Sequence, residues 1–497
     1  MFKIFHGFHL LDAYHKAKHD KPESEGKLIK KAIFSAIILV VTLTLWNLPA
    51  DSFGIPGLTA VQQRVIAIFA FATLMWIFEV VSSWATSVAI MVLLLLTCSD
   101  SAFLSFQTAD PEHLLDYKKV MGAFADPTVM LFIGGFVLAI AATKTGLDTY
   151  LARVLLTPFG KKSSNVLLGF IVITGLFSMF ISNTATAAMM LAFLTPVFRQ
   201  LPPEGKGRIA LTLSIPIAAN IGGMGTPIGT PPNAIALKEL NELNLGIGFG
   251  QWMMIMIPVV IIVLFISWFL LLKLFPFTQK TIEIEIESGL KPGVKTIVVI
   301  ITFVITILLW MLDKITGINA NTVALIPMAI FAIAGVIKRA DLEEINWSVI
   351  WMVAGGFALG GALKQSGLSE AAVKALPFAQ WSPIVILIIS GLICYALSNF
   401  ISNSATANLL VPILSTVCAG MGDSLAAIGG TTVVLVGIAV AASSAMVLPI
   451  STPPNAIAYS TNLVQQKDMA KIGLIVGAIS LIIGYGTLFL VGELGIL

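Results

Sequence analysis

Charged residues are scarce in this chain: they make up 11% of its 497 residues, whereas 57% are hydrophobic. No acidic, basic or histidine side chain occurs in four long segments, 163–198, 209–237, 375–422 and 424–466. Because soluble domains carry about 25% charged residues, this composition excludes a soluble protein and indicates one that crosses a membrane several times. The basic residues are scattered through loops, so the chain also lacks a nucleic-acid-binding patch.

Cysteine and histidine are scarce as well. The three cysteines, Cys98, Cys394 and Cys418, have neither disulfide nor metal-ligand spacing, and we interpret them as small packing residues. Four of the five histidines lie within residues 1–30, where we predict a cytoplasmic amphipathic segment on the membrane surface. These four are His6, His9, His15 and His19. A metal site there would lack a complete set of ligands.

Long apolar runs predict the membrane spans, since a helix needs about 20 apolar residues to cross a bilayer. We predict eleven spans: 31–48, 64–81, 84–99, 128–145, 209–230, 252–275, 294–313, 320–337, 346–363, 428–449 and 470–492. The lysine-rich N-terminus predicts a cytoplasmic N-terminus. An odd number of crossings then places the C-terminus outside.

An internal duplication links the two halves of the chain. Ser182–Thr184 recurs as Ser402–Ser404, and the Thr-Pro-Pro-Asn motif at 230–233 recurs at 452–455. A Gly-Gly-Phe motif also recurs in the same order, at 134–136 and 355–357. Each repeat contains five predicted spans if the segments with the Ser-Asn motifs do not cross completely, and repeats with an odd number of crossings must insert in opposite orientations. Inverted repeats of this kind are typical of secondary transporters, which bind substrate near the midplane.

Two apolar stretches, 164–200 and 382–420, are interrupted at their centres by the Ser-Asn motifs. Serine and asparagine favour caps and turns because their side chains compete for backbone groups. Each apolar arm has only about fifteen residues, too few for a crossing. We therefore predict two re-entrant helical hairpins with the Ser-Asn motifs at their tips. The alternative is that these serines are small residues that pack between helices, which is a common role for a lone serine. Two asparagines at matching positions deep in the membrane argue against it, because each is costly there without a polar partner.

The Thr-Pro-Pro-Asn motifs predict two broken helices, at 209–237 and 428–460. Residues 220–233 contain four glycines and three prolines, and each proline removes a backbone donor. Carbonyls freed in an unwound segment are potential cation ligands, while the N-terminus of the following half-helix attracts anions. A simple proline kink explains the matching Pro-Pro pairs poorly.

The absence of charge around these four elements limits the chemistry they can perform. A carrier of organic cations would need a carboxylate, and a proton-driven pump would need a titratable relay. An anion held only by neutral groups gains strongly from a nearby cation, and Na⁺ accepts hydroxyl, amide and carbonyl oxygens. We therefore hypothesise one Na⁺ at each tip, with a small anion between them.

The paired Ser-Asn-Thr tips and Thr-Pro-Pro-Asn breaks resemble the divalent anion/sodium symporter family, over residues 31–497. The resemblance implies a homodimer in the cell membrane whose transport domain moves against a scaffold domain as an elevator. Members of that family carry dicarboxylates, citrate or sulfate. The implied divisions are scaffold helices at 31–160 and 298–375, transport helices at 161–277 and 376–497, and a cytoplasmic linker at 278–297.

Site residues are carried over by motif. The resemblance implies a first Na⁺ site at Ser178, Ser182, Asn183 and Gly229, and a second at Ser398, Ser402, Asn403 and Ser451. It implies substrate contacts from Asn183, Thr184, Asn403, Ser404, Thr452 and Pro453. Ser404 departs from the threonine more usual in the family. Na⁺ is implied as the co-transported ion, with no organic cofactor.

Several functions compete with Na⁺-driven transport of a C4-dicarboxylate such as succinate or malate. Anion exchange, or transport of sulfate or citrate, fits the same motifs. A metalloid-oxyanion or proton-coupled carrier of related architecture also stays open. An intramembrane enzyme would need a nucleophile with a base or a metal with ligands, which the charge-free segments do not offer. A channel suits a duplicated, neutral and occluded site less well.

Overall fold

The computed structural model describes residues 25–202, 205–282, 290–291, 293–375 and 380–495. These residues form helices joined by turns, and no β-strand occurs among them. The predicted all-α class is therefore confirmed for the described part of the chain. The predicted N-terminal surface segment, with its four histidines, lies almost wholly outside these residues, as does the centre of the predicted linker.

The helices of eight or more residues are numbered in chain order. They are α1 Glu25–Asn47, α2 Ala60–Phe78, α3 Ser83–Thr97, α4 Pro127–Thr145, α5 Leu147–Leu156, α6 Ser163–Ser178, α7 Asn183–Phe198, α8 Lys206–Gly223, α9 Pro231–Glu242, α10 Phe249–Leu274, α11 Val294–Met311, α12 Leu325–Ile333, α13 Trp347–Gln365, α14 Leu368–Ala375, α15 Pro383–Ser398, α16 Asn403–Met421, α17 Gly430–Ser444, α18 Pro453–Ser460 and α19 Gln466–Glu493. Shorter helical turns connect several of them.

Each of the eleven predicted spans falls on a helix, but the helices differ in length. Among the described residues, eight helical stretches are long and apolar enough to cross a membrane. Seven coincide with predicted spans, and the eighth, Asn403–Ile428, is an arm of the second predicted hairpin. The helix α16 has 19 residues, against about fifteen expected for the arm, and a helical turn at Gly422–Ile428 extends the stretch further. The chain is a multi-pass membrane protein, while the crossing number of eleven stays a prediction.

The duplicated Gly-Gly-Phe motif lies in α4 and α13 and allows helices to approach closely. A Cβ on Gly134 would lie 2.2 Å from the carbonyl oxygen of Ala324, which precedes α12. A Cβ on Gly355 would lie 2.3 Å from the Cβ of Ser87 in α3. Each copy therefore fits a helix of one half against the other half, as small residues do in membrane proteins.

The hairpins and broken helices also pack across the two halves. The half-helix α9 of the first half packs against α16, the second arm of the second hairpin. Reciprocally, α18 of the second half packs against α7, the second arm of the first hairpin. This exchange places each helix break next to the hairpin of the opposite half.

Candidate ion and substrate site

The first hairpin turns between α6 and α7 through residues 179–182. Ser182 caps α7, and its Oγ accepts a hydrogen bond from the N–H of Ala185 at 3.3 Å. Short polar side chains cap helices in this way because the first N–H groups lack partners. Asn183 and Thr184 follow as the first helical residues and are half-buried. The predicted tip residues therefore lie at the turn itself.

Oxygen atoms converge next to this turn in a group that we call the first oxygen cluster: Ser178, Asn183, Ala219, Gly223 and Gly229. The Oγ of Ser178 lies 2.5 Å from Asn183 Oδ1 and 2.7 Å from the carbonyl oxygen of Ala219. A Cβ on Gly223 would lie 2.7 Å from Asn183 Oδ1 and 3.1 Å from the carbonyl oxygen of Gly229. Hydroxyl, amide and carbonyl oxygens of this kind are the ligands that hard cations prefer.

The second hairpin repeats this arrangement in a second oxygen cluster, formed by Ser398, Asn403 and Ala442. The Oγ of Ser398 lies 2.8 Å from Asn403 Oδ1 and 3.2 Å from the carbonyl oxygen of Ala442. Ser402 caps α16 by accepting the N–H of Ala405 at 3.2 Å. In both hairpins, a serine that ends the first arm thus contacts, across the turn, the asparagine that begins the second arm.

Ser451, predicted as part of the second Na⁺ site, joins the hairpin through a residue that sequence reasoning missed. Its Oγ donates to the carbonyl oxygen of Asn399 at 2.9 Å and lies 3.4 Å from Asn399 Oδ1. Asn399 Oδ1 also accepts the N–H of Val447 at 2.9 Å. The Ser451 hydroxyl therefore donates to Asn399 and accepts the N–H of Leu448 at 3.0 Å, and its contacts are with Asn399 rather than with Asn403. Asn399 occupies the place of Met179 in the first half, so the duplication gave no signal for it.

The two helix breaks are held open by the asparagine of each Thr-Pro-Pro-Asn motif. In the first break, Asn233 Nδ2 donates to the carbonyl oxygens of Gly223 and Thr226 at 3.0 and 2.8 Å. Asn455 Nδ2 does the same with two carbonyls of the second break, at 2.8 and 3.0 Å. Trp252 of α10 also donates to the first break, through Nε1 to the carbonyl oxygen of Met224 at 3.0 Å. The unwound segments therefore keep a fixed shape rather than a loose one.

The predicted substrate residues line the start of α18 and the tips. Thr452 caps α18 and is buried, whereas the next residue, Pro453, is exposed. Asn403 is half-buried like Asn183, but Ser404 is buried where its counterpart Thr184 is half-exposed. The smaller serine thus packs into the protein at the position where the first half presents a threonine.

One further contact crosses between the halves. Asn220, near the end of α8, donates through Nδ2 to Thr452 Oγ1 at 3.1 Å and to Asn455 Oδ1 at 3.3 Å. All three side chains are buried. The first helix break is therefore joined to the second by hydrogen bonds at the start of α18. Asn220 begins the glycine- and proline-rich segment of the first half, but its partners could not be read from the sequence.

Charge lies at the end of the site rather than inside it. Beyond the predicted span, Lys238, Glu239 and Glu242 end α9, and Lys364 of α13 lies 2.6 Å from both Glu239 and Glu242. Burial opposes ionisation of Glu242, but Lys238 and Lys364 outweigh it and hold its pKa below the usual value. Within the described residues, no three His, Cys, Asp or Glu side chains come together to hold a metal ion.

Comparison with known proteins identifies the family. A family model described as a citrate transporter matches residues 73–429. This chain belongs to the citrate transporter family. Its relatives in that comparison include the sodium-dependent dicarboxylate transporter SdcS of Staphylococcus aureus strain USA300, 30% identical over 95% of this chain and 92% of the relative. The SdcS of Staphylococcus saprophyticus is 29% identical over 94% of this chain and 91% of that protein.

Membership of the citrate transporter family confirms the resemblance drawn from the duplicated motifs, and it makes the chain a transport protein rather than an enzyme. Two solved structures have a similar fold. The YdaH transporter of Alcanivorax borkumensis matches 84% of this chain with a TM-score of 0.56 and 14% identity, covering 99% of that chain. MtrF of Neisseria gonorrhoeae, described as one of a class of antimetabolite efflux pumps, matches 82% with a TM-score of 0.51 and 13% identity, covering 95% of that chain.

Proposed function

We propose that this protein is a secondary active transporter that moves a C4-dicarboxylate such as succinate or malate across the membrane together with Na⁺. The observation that carries the proposal is the pair of neutral oxygen clusters at the hairpin tips. Burying an unpaired dianion among neutral groups is costly, so bound cations must supply the balancing charge. The relatives are named sodium-dependent dicarboxylate transporters, which supports both the ion and the substrate class.

In this proposal each cluster binds one Na⁺. The first ion would be held by Ser178, Ser182, Asn183 and the carbonyl of Gly229, and the second by Ser398, Ser402, Asn403 and Ser451. The anion would lie between the tips, against Asn183, Thr184, Asn403, Ser404, Thr452 and Pro453. Because ion and anion stabilise one another through their charges, each should raise the affinity for the other.

The proposal extends to the movement. The two hairpins are re-entrant, and the helices at 161–277 and 376–497 form a transport domain that slides along a scaffold domain. The protein is a homodimer in the cell membrane. Its N-terminus is cytoplasmic and its C-terminus lies outside. The reciprocal packing of α9 on α16 and of α18 on α7 supports an inverted repeat, because each half supplies the same elements to the other.

The test is uptake of labelled succinate into proteoliposomes. An inward Na⁺ gradient should concentrate succinate inside, and replacing Na⁺ by choline or K⁺ at fixed pH should abolish the accumulation. Saturable accumulation separates a carrier from a channel. Uptake that needs internal succinate but no Na⁺ would instead indicate an exchanger, and equal uptake in Na⁺ and K⁺ would contradict the proposed coupling.

The ion sites are tested by Ser178→Ala and Ser398→Ala. Each change removes a hydroxyl oxygen that would coordinate Na⁺, so the Na⁺ concentration for half-maximal uptake should rise about tenfold, a loss of about 1.4 kcal/mol in binding free energy. Ser390→Ala is the matched control, because its Oγ donates to the carbonyl of Leu387 in its own helix, away from the tip. Unchanged Na⁺ dependence in both tip variants would contradict the assigned sites.

A citrate carrier is the second candidate, favoured by the description of the matching family model. A competition series decides between them. Excess unlabelled malate should reduce succinate uptake more strongly than citrate or sulfate if the substrate is a C4-dicarboxylate. The reverse order for citrate would make the larger anion the substrate while leaving the ion sites as proposed.

A further inference from the structure

Asn220 belongs to no predicted ion or substrate site, yet it touches the start of α18 from the opposite half. Its amide orientation is fixed by its neighbours. Asn455 Nδ2 donates to the carbonyl oxygens of Met446 and Leu448, at 2.8 and 3.0 Å, so Asn455 must present Oδ1 to Asn220. Only the Nδ2 group of Asn220 can then face Asn455 without bringing two oxygens together.

This orientation determines the hydrogen bonding of Thr452. Its Oγ1 accepts Asn220 Nδ2 at 3.1 Å and the N–H of Asn455 at 3.3 Å. A hydroxyl oxygen has two acceptor positions and one proton. Since both acceptor positions are occupied by groups that can only donate, the hydroxyl proton of Thr452 must be donated to a third partner.

The start of α18 offers little else to an anion. Pro453 and Pro454 have no N–H. The N–H of Asn455 is bonded to Thr452 Oγ1, and that of Ala456 is bonded to the carbonyl oxygen of Thr452 at 3.1 Å. The backbone donors of this first turn are therefore absent or used, and the Thr452 hydroxyl is left to donate.

We propose that Asn220 is a positioning residue that sets the Thr452 hydroxyl as a hydrogen-bond donor to a carboxylate oxygen of the substrate. This role rests on the proposed function, and it deepens it by making recognition at α18 depend on an acceptor atom of the substrate. It also gives the two halves different tasks, because the residue of one half prepares the anion contact of the other.

The first half lacks the matching arrangement. Ala219 and Ala442 accept equivalent hydrogen bonds in the two clusters, so the counterpart of Asn220 is Ser443. Ser443 Oγ is buried and has no hydrogen-bond partner among the described residues. The serine is too short to repeat the contact of Asn220, so only Thr452 of the two capping threonines has its proton fixed in this way.

The test is a double-mutant cycle on the KM for succinate in proteoliposomes at saturating Na⁺. Thr452→Val removes the donor and should raise KM about tenfold, and Asn220→Ala frees the hydroxyl to rotate and should raise it about threefold. Because Asn220 acts through the hydroxyl, adding Asn220→Ala to Thr452→Val should change KM by less than about twofold. At saturating succinate, the Na⁺ concentration for half-maximal uptake should stay near the wild-type value in each.

Two further variants separate this role from a structural one. Thr452→Ser keeps the hydroxyl and should raise KM much less than Thr452→Val does. Asn220→Asp offers an acceptor that draws the Thr452 proton away, so its KM should exceed that of Asn220→Ala. Ser443→Ala is the control, and its KM should match the wild type. Melting temperatures in detergent identify variants that fail to fold. If Asn220→Ala fails to fold, Asn220→Ser replaces it in the cycle.

The outcomes are distinguishable. If the wild type shows no Na⁺-driven uptake of succinate, the proposed function fails, and this role with it. With wild-type uptake intact, the effects of the two substitutions on KM could multiply in the double variant, or Asn220→Asp could have the wild-type KM. Either result overturns only the role of Asn220.

Discussion

The two oxygen clusters use the same chemistry but are held in place differently. In both, the serine that ends the first hairpin arm contacts the tip asparagine and a backbone carbonyl of the broken helix. In the first, the break approaches so closely that a Cβ on Gly229 would lie 2.3 Å from the carbonyl oxygen of Gly223. In the second, Ser451 occupies the place of that glycine, and its side chain bonds to Asn399.

This comparison shows that the oxygen atoms of an ion site can be duplicated while the contacts that hold them in place differ. The first cluster depends on the absence of side chains between backbone segments, whereas the second depends on polar side chains that bridge them. The half-helices differ as well: α9 ends in an ion-pair group, while α18 ends without charged residues at Tyr459 and Ser460. The halves should therefore fail under different substitutions.

Gly229→Ser gives the first cluster the residue of the second and should have the largest effect. The new Cβ meets a backbone oxygen, which cannot move aside like a flexible side chain. Overpacking typically costs about 1–3 kcal/mol, so Na⁺ affinity measured by uptake should fall about 5- to 150-fold, with about 1.4 kcal/mol for each tenfold change. The reciprocal Ser451→Gly should cost less, since it removes only hydrogen bonds. Wild-type uptake by Gly229→Ser would show that the close approach is not required.

Asn399→Met gives the second hairpin the residue of the first. It removes the acceptor for the Val447 N–H, and an unpaired buried donor costs about 1–3 kcal/mol. The melting temperature in detergent should fall and the Na⁺ concentration for half-maximal uptake should rise. Met179→Leu at the equivalent position is the control, because a hydrophobic swap of similar volume usually costs less than about 1.5 kcal/mol. Equal effects of the two changes would remove the proposed distinction between the clusters.

Features that depend on local sequence could be predicted from it. Clustered glycines and prolines separate α8 from α9, and prolines separate α17 from α18, because each proline removes a backbone donor and glycine is a poor helix former. The Ser-Asn motifs cap α7 and α16 for the equally local reason that their side chains satisfy the first N–H groups.

Features that depend on which segments meet could not be predicted. The partners of Asn220 and Asn399 lie 232 and 52 residues away in sequence, and the backbone carbonyls of Ala219 and Ala442 carry no sequence signal at all. Span length was also hard to judge, since Pro412 does not end α16 and the apolar run continues. Tertiary contacts, rather than propensity, decide these points.

The smallest expected effect concerns the charged end of α9, which α18 lacks. Glu242→Gln removes the carboxylate that pairs with Lys238 and Lys364, and because the Glu242 side chain is 39% exposed the loss should stay below about 1 kcal/mol. The pKa of Glu242 is lowered from 4.5 in the folded protein, so its stabilisation is present above that pH and is lost as the pH falls through the lower folded value. Melting curves at pH 7 should therefore separate the wild type from the variant, and the difference should shrink as the pH falls below 4.5 and in high salt. A difference that persists in acid would mean that the side chain stabilises α9 by packing rather than by charge.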